Sequence, residues 1–173
     1  MGMDEIRPAE QTGESISPAE FKQWLDEGRD IPLLDTRNDY EIRIGSFENS
    51  VDLNLSTFRT FPVAVRNSTL EKDKTVVMFC TGGIRCEKAS ALMLKEGVQD
   101  VRQLEGGVLG YFEEMGGAHW DGDCFVFDRR VAVDPELNVT GAEVCFACRE
   151  PLNEGELESP LYVPAVSCPY CIE

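Results

Sequence analysis

The sequence predicts an α/β fold, a parallel sheet with helices on both faces, followed by a small tail held together by four cysteines. Short apolar segments alternate with helical segments over most of the 173 residues, an order typical of parallel sheets with helical crossovers. Residues 75–79 form the clearest buried strand, because they are consecutive, partly β-branched and uncharged. Two cysteine pairs near the C-terminus add the prediction of a metal-bound tail.

The N-terminal half is expected to alternate short strands with short helices. Residues 1–15 show no apolar periodicity and are expected to form a flexible lead-in. Ser17 is a predicted helix N-cap, followed by a proline and by a glutamate three residues after the cap, and Gly28 marks the end of this helix. The next predicted elements are a strand at residues 31–34, a helix at 39–44, a strand around Val51 and Leu53, and a helix at 57–66.

The strand at residues 75–79 is followed by a glycine-containing loop and a helix that ends near Gly97. A further strand is predicted at residues 101–104, and residues 105–112 are expected to form a glycine turn that enters another helix. Ligands of parallel sheets bind at the carboxyl ends of the strands, and Cys80 falls at that position. Near the C-terminus, residues 124–128 and 130–133 are expected to pair as a short ribbon.

The formal net charge of −16 is unevenly distributed. Residues 31–103 contain 10 acidic and 10 basic residues, whereas residues 104–173 contain 14 acidic and 3 basic residues. We interpret the acidic part as a solvated face. A broad nucleic-acid footprint is not expected from this chain alone, because phosphate binding needs clustered lysine and arginine.

The cellular environment is indicated by what the sequence lacks. No apolar run approaches the roughly 18 residues that a membrane span needs, and the N-terminus lacks the pattern of a signal peptide. The seven cysteines occur in pairs and in a loop, which favours thiol chemistry and metal binding over disulfides. We therefore expect a soluble cytoplasmic protein with no membrane partner.

The thiol of Cys80 lies where a thiolate forms most readily. The glycines after it let backbone N–H groups point inward, the following helix contributes its positive end, and Arg85 contributes a full charge. We predict Cys80 as a nucleophile and Arg85 as an anion holder, and the alternative is a buried core thiol. The predicted anion-binding loop consists of Thr81, Gly82, Gly83 and Ile84.

Two other cysteines lie outside the C-terminal pairs. Cys86 directly follows Arg85 in the first turn of the predicted helix. It is interpreted as a second thiol, either for redox resolution or as a participant in a hydroxylase-like reaction, or alternatively as a packed small residue. Cys124 is flanked by aromatic residues at strand spacing, which favours packing in the core.

Asp35 and Arg37 are expected to be structural, because an aspartate at a strand end and an arginine two residues later commonly form an internal ion pair. The only histidine, His119, is expected in a loop near Trp120. A Cys-His protease would require this histidine to fold back beside Cys80.

The four C-terminal cysteines form two pairs, each with two intervening residues, and nineteen residues separate the pairs. This spacing predicts a zinc-ribbon-like site in which each pair supplies two thiolates, with a disulfide pair or an iron–sulfur centre as alternatives. The role would be structural, because four thiolates leave no open position on zinc. No organic cofactor is expected. The predicted ligands are Cys145, Cys148, Cys168 and Cys171.

Several ordered motifs within residues 16–116 resemble the rhodanese homology domain. They are residues 33–37, Glu41, Gly45, residues 80–85 and residues 104–107. More narrowly, residues 35–41, 80–88 and 124–128 resemble the rhodanese-containing tRNA uridine hydroxylases. The resemblance divides the chain into a catalytic domain at residues 16–118 and a C-terminal extension at residues 119–173.

The rhodanese resemblance implies a thiosulfate sulfurtransferase, which is the first hypothesis. Cys80 would take a sulfur atom from a donor such as thiosulfate and become a persulfide, which a thiol or cyanide acceptor attacks. The loop amides and Arg85 would hold the donor's oxyanion. Only four residues separate Cys80 from Arg85, whereas related cysteine phosphatases have five, so a phosphatase is a weaker hypothesis.

The narrower resemblance implies a different reaction, the oxygen-dependent formation of 5-hydroxyuridine at the wobble position of tRNA. That family carries a ferredoxin-like domain ahead of the rhodanese domain, and at most fifteen residues precede it here. We therefore expect either a fragment of a longer protein or a short natural form, with tRNA as a partner only of a longer form. A non-catalytic sulfur-relay or protein-binding module is a further alternative.

Overall fold

Residues 11–172 are described by a computed structural model, and a five-stranded parallel sheet forms their centre. The strands in chain order are β1 Glu14–Ile16, β2 Leu33–Asp35, β3 Gly45–Phe47, β4 Val51–Asp52, β5 Thr75–Phe79, β6 Asp100–Leu104, β7 Trp120–Gly122, β8 Cys124–Phe125, β9 Ala132–Val133, β10 Glu143–Val144 and β11 Pro151–Leu152. The sheet has the order β1-β6-β5-β2-β4, with β5 in the middle.

Helices cover both faces of this sheet, as predicted. In chain order the helices of the described residues are α1 Pro18–Asp26, α2 Asp39–Ile44, α3 Phe61–Asn67, α4 Ile84–Lys95, α5 Gly107–Met115 and α6 Glu154–Leu157, of which α1, α3, α4 and α5 pack on the sheet. Alternate residues of β5 face opposite layers: Val77 and Phe79 pack with α1 and α5, and Val76 and Met78 pack with α3 and α4. Among residues 11–172, no helix is long and apolar enough to cross a membrane.

Strand β1 corrects the predicted extent of the lead-in. Glu14 and Ser15 belong to β1, which pairs in parallel with β6 at the edge of the sheet. The side chain of Ile16 is buried, and Gly13 approaches the carbonyl oxygen of Val101 so closely that a Cβ atom would lie 2.5 Å from it. A strand with one buried residue shows no periodicity in sequence. Residues 1–10 of the predicted lead-in lie outside the described residues.

Other elements follow the predictions with small differences. The side chain of Ser17 accepts a hydrogen bond from the backbone N–H of Glu20, which confirms the predicted N-cap. The helix predicted at residues 57–66 is divided into a 3-10 turn and α3, whose first turn contains Pro62. The predicted ribbon is confirmed as the antiparallel pair of β8 and β9, with shorter strands.

The C-terminal extension packs against the α/β part. Strand β7 pairs with β3, an antiparallel contact that the sequence did not predict. Arg43 on α2 donates hydrogen bonds to Glu150 and Glu156, and its guanidinium lies 3.7 Å from the ring centroid of Tyr170. The predicted boundary between residues 118 and 119 falls just before β7.

Candidate active site

Cys80 follows β5 at the carboxyl edge of the sheet, and the loop to α4 wraps around its sulfur. The backbone N–H of Gly83 donates a hydrogen bond to Sγ at 3.1 Å, and the backbone N–H groups of Arg85 and Cys86 help to lower the pKa of this thiol. Gly83 has a φ of 88°, in the left-handed region that glycine adopts without strain. The loop therefore directs several backbone N–H groups at one sulfur atom.

The first turn of α5 fixes the other side of this loop. The N–H of Val108 donates to the carbonyl oxygen of Cys80 at 3.0 Å, and the N–H of Leu109 donates to that of Thr81 at 3.1 Å. A Cβ atom on Gly107 would lie 2.4 Å from the oxygen of Cys80, so glycine permits this close approach. Because the loop carbonyls point toward α5, the loop N–H groups remain directed at the sulfur.

The environment of Cys80 favours a thiolate. The pKa of Cys80 is lowered to about 6, chiefly by a hydrogen bond from the Cys86 thiol; burial opposes this shift, and the charge of Arg85 adds to it. Cys86 keeps its proton, because burial and the neighbouring Cys80 raise its pKa. The Cys86 sulfur also lies 3.7 Å from Oγ1 of Thr36. Cys80 is thus the ionised member of the pair, and Cys86 is the proton donor.

We expect the rate of Cys80 alkylation to follow a titration with its midpoint near pH 6. In Cys86→Ala the midpoint should rise toward the ordinary thiol value of about 8.5, because the largest stabilising hydrogen bond is lost. In Cys86→Ser a donor remains, and the midpoint should stay lower than in Cys86→Ala. Labelling with a small haloacetamide, quantified by peptide mass spectrometry, measures this. Equal midpoints in the two variants and the wild type would contradict the role of Cys86.

Arg85 is only partly available to bind an anion. Its Nη1 and Nη2 atoms donate to the two carboxylate oxygens of Glu41 at 2.6 and 2.7 Å. Burial lowers the pKa of Arg85, but the hydrogen bonds and charge of Glu41 outweigh it, and Cys80 adds to the net rise. Because Glu41 occupies both terminal nitrogens, the role of Arg85 in holding an oxyanion stays a prediction.

Glu41 is a site residue that the sequence marked only through the family resemblance. It is completely buried on α2, and its carboxylate also accepts a hydrogen bond from the backbone N–H of Asn38 at 3.0 Å, which closes a capping box. The three-residue spacing of Asn38 and Glu41, which is typical of a capping box, was the one local signal in the sequence for the orientation of this carboxylate. Its contact with Arg85 joins residues 44 positions apart, so no local pattern indicated it.

The predicted ion pair of Asp35 and Arg37 is present and lies in the core. Nε of Arg37 is 2.9 Å from Oδ1, and Nη2 is 2.6 Å from Oδ2, with both side chains fully buried. Burial lowers the pKa of Arg37, but the charge of Asp35 outweighs it and the net shift is upward. Nη2 also donates to the carbonyl oxygen of Gly45, so the pair joins the end of β2 to the start of β3.

The remaining candidates lie apart from Cys80 or in the core. The ring of His119 contacts Asp26 at 2.7 Å, at the end of α1. Since α1 returns from the carboxyl edge of the sheet, this contact lies at the opposite edge from Cys80, and a Cys-His protease site is not formed. Cys124 is fully buried, as predicted.

Hydrophobic side chains and a cleft surround the mouth of the site. Ile84 and Phe127 are among the exposed large hydrophobic residues, and the guanidinium carbon of Arg85 lies 5.6 Å from the Phe127 ring centroid. A cleft of about 550 Å³ lies beside the loop, between Gly82 and Gln103. An exposed aromatic ring therefore lies beside Arg85, and the cleft lies on the side of the loop that carries Gly82 and Gly83.

The four predicted metal ligands come together. The sulfur atoms of Cys145, Cys148, Cys168 and Cys171 all lie within 4.8 Å of one another. Strands β10 and β11 pair beside them, and Leu152 packs against the cluster. The four thiols are therefore placed to share one metal ion.

Comparison with protein families and curated sequences gives consistent matches. The family model of the Rhodanese-like domain matches residues 17–114. The tRNA uridine(34) hydroxylase of Cupriavidus necator is 52% identical over 178 residues, covering 99% of this chain and 63% of that protein. The enzyme of the same name from Ralstonia nicotianae is 47% identical over 177 residues, covering 97% of this chain and 62% of that protein. The chain thus spans less than two thirds of the length of these relatives.

Solved structures share the fold at low sequence identity. The Alr3790 protein from Anabaena has a TM-score of 0.53 and 19% identity, covering 66% of this chain and 96% of that chain. A human single-domain sulfurtransferase has a TM-score of 0.51 and 19% identity, covering 59% of this chain and 97% of that chain.

Proposed function

The chain belongs to the Rhodanese-like domain family, and we propose that it is the catalytic part of a tRNA uridine(34) hydroxylase. One observation carries this proposal: similarity to a protein of that name extends over 99% of the chain. It therefore includes the C-terminal extension, which lies outside the family match at residues 17–114. By contrast, the structure of the human single-domain sulfurtransferase covers only 59% of this chain.

In the proposed reaction the C5–H bond of uridine becomes C5–OH. The Cys80 thiolate adds to C6 of the uracil ring, forming an S–C6 bond and moving the C5–C6 π pair into an enolate. Carbon C5 then attacks dioxygen, and one proton completes a hydroperoxide. An external thiol reductant supplies two electrons and two protons, the O–O bond breaks, one oxygen leaves as water and the thiols become a disulfide. Loss of the C5 proton and of the Cys80 thiolate restores the C5=C6 double bond.

The lowered pKa of Cys80 supports both the first and the last step of this reaction. A thiol with a pKa of about 6 is ionised at neutral pH, so it can add to C6 without a separate base. The same low basicity makes it a good leaving group in the last step. The loop N–H groups and Arg85 stabilise the negative sulfur in the free enzyme and on its release.

We expect a chimera, in which this chain replaces the matching segment of the Cupriavidus necator hydroxylase, to form 5-hydroxyuridine at position 34. The assay would contain tRNA, dioxygen and a thiol reductant, with nucleoside mass spectrometry as the readout. Cys80→Ser should lower the rate by about 10³-fold or more, as removal of a nucleophile does. Cys124→Ser is the matched control, because this thiol is buried in the core. A folded chimera that binds tRNA without hydroxylating it, or full activity in Cys80→Ser, would refute the proposal.

Thiosulfate sulfur transfer is the second candidate, and the thiolate in its N–H cradle favours it. The engagement of Arg85 by Glu41 weighs against it, since a donor's oxyanion needs a free partner. We would measure the intact mass after incubation with thiosulfate. A gain of one sulfur atom that is lost in Cys80→Ser but kept in Cys86→Ser would support this candidate, and turnover of cyanide would distinguish an enzyme from a relay module. No gain in the wild type would remove it.

We also propose that the four cysteines of the tail bind one zinc ion. A tetrahedral zinc site with bonds of about 2.3 Å places its sulfurs roughly 3.8 Å apart. The sulfur of Cys168 lies 3.5 Å from that of Cys148 and 3.6 Å from that of Cys171, and all four lie within 4.8 Å of one another. Four thiolates suit zinc and leave no open position. The ion would therefore tie the two cysteine pairs together and would take no part in the reaction at Cys80.

A further inference from the structure

The aromatic ring of Phe127, at the rim of the Cys80 site, is left largely uncovered. The residue is 67% exposed, and its described ring contacts are the edge of Phe125 at 5.0 Å and the guanidinium of Arg85 at 5.6 Å. Single exposed hydrophobic residues are common on protein surfaces. This one differs in position, because the arginine beneath its ring also contacts the reactive sulfur.

The loop that carries Phe127 is held by hydrogen bonds of its own. The N–H of Val126 donates to the carbonyl oxygen of Val131 at 2.8 Å, which closes the loop at its base. At the tip of the loop, Arg130 forms a bidentate ion pair with Asp128, and the backbone N–H of Arg130 also donates a hydrogen bond to that carboxylate. A closed loop of this kind presents an exposed ring in one position, so little entropy is lost when a ligand covers the ring.

The charge beside Phe127 is positive, although the chain as a whole is strongly negative. Asp128 and Arg130 neutralise each other, whereas the exposed side chain of Arg129 makes no hydrogen bond or ion pair with any described residue. An uncovered aromatic face next to an unpaired arginine matches single-stranded RNA, whose bases stack on aromatic rings and whose phosphates bind arginine.

We propose that Phe127 is a stacking platform for an unpaired nucleobase of the RNA loop that carries the target uridine, and that Arg129 binds an adjacent phosphate. This inference rests on the proposed function. Arg85 contacts both the Phe127 ring and Cys80, so a base stacked on the other face of the ring would place the RNA loop beside the thiolate. The platform therefore selects unpaired over paired RNA at this site.

The first test is binding of the chimera described above to a labelled anticodon stem-loop with uridine at position 34, followed by fluorescence anisotropy, with the unsubstituted chimera as the wild type. Phe127→Ala should weaken binding about 5- to 150-fold, the range for loss of one base–aromatic stack. Phe127→Leu should also weaken it, because leucine is apolar without a π face, and Phe127→Trp should retain it. Phe146→Ala is the matched control: that phenylalanine is 68% exposed and lies in the four-cysteine tail.

The second test is the salt dependence of the same binding. Arg129→Ala should reduce the slope of log affinity against log salt by about one, as expected for the loss of one phosphate contact. Lys72→Ala is its control, because Lys72 precedes β5 and lies at the opposite edge of the sheet from Cys80. This substitution removes an equal charge and should leave the slope unchanged.

Three results would overturn the inference: equal affinity in Phe127→Ala and wild type, an equal loss in Phe146→Ala, or no binding of the stem-loop by the wild type.

The hydroxylation activity of the chimera separates this inference from the proposed function. If the chimera forms 5-hydroxyuridine at the same rate with and without Phe127→Ala, the platform is wrong and the proposed function stands. If the wild-type chimera forms none, the proposed function fails.

Discussion

Replacing Arg37 with methionine is expected to lower the free energy of unfolding by about 3–5 kcal/mol, the usual effect of removing one partner of a buried ion pair. Methionine fills much of the same space, so the main loss is the cation that faces Asp35. That carboxylate is fully buried and would keep only neutral donors, among them the hydroxyl of Ser46 at 2.7 Å. Chemical denaturation followed by circular dichroism measures the change.

The chain contains a closely matched control for this substitution. Arg130 contacts Asp128 with the same geometry, Nε to Oδ1 at 3.0 Å and Nη2 to Oδ2 at 2.7 Å, but the two side chains are 45% and 49% exposed. Arg130→Met should therefore cost far less stability than Arg37→Met, because solvent screens an exposed ion pair. Similar losses in the two variants would show that burial does not determine the cost and would contradict this account of Asp35 and Arg37.

Removal of the proposed zinc ion is expected to unfold the four-cysteine tail. Structural zinc sites contribute about 10–16 kcal/mol of apparent binding free energy, and few hydrophobic residues pack around these cysteines. The purified chain should contain one zinc ion, and Cys145→Ser should contain none. After chelation, hydrogen exchange should become fast from β10 to the C-terminus and stay slow in β5 and β6. Unchanged exchange after complete removal, or reduced cysteines without metal in the purified protein, would refute the zinc proposal.

The same experiment should reveal a local effect on the active-site side. Arg43 on α2 joins the tail through Glu150, Glu156 and the ring of Tyr170. Because α2 also carries Glu41, faster exchange in this helix after chelation would show that the tail supports the residue that binds Arg85. If hydrogen exchange in α2 does not change after chelation, the tail stabilises only itself and does not support α2.

Much of the fold could be predicted from the sequence, because the signals are local. The uncharged run at β5 identified the central strand, the cap at Ser17 identified the start of α1, and the glycine loop after Cys80 identified the thiolate cradle. Each of these signals lies within a few residues of the feature that it predicts, so neighbouring residues alone were sufficient.

The parts that were missed depend on contacts between distant residues. The pairing of Glu41 with Arg85 and that of β3 with β7 join segments far apart in the chain. The strand predicted at residues 124–128 includes Phe127. Strand β8 ends at Phe125, however, and the next aromatic residue is exposed. The alternation of residues in the sequence could not show at which residue the strand pairing ends.

The most direct test of the central claim, that Cys80 attacks the target uridine, is to trap the adduct. The chimera would be incubated with an anticodon stem-loop that carries 5-fluorouridine at position 34, because fluorine replaces the C5 hydrogen that must leave as a proton before the thiolate is released. Intact mass spectrometry should show one RNA attached per chain, mapped to Cys80 and absent in Cys80→Ser. Bound RNA without a covalent adduct, or an adduct that persists in Cys80→Ser, would contradict the claim.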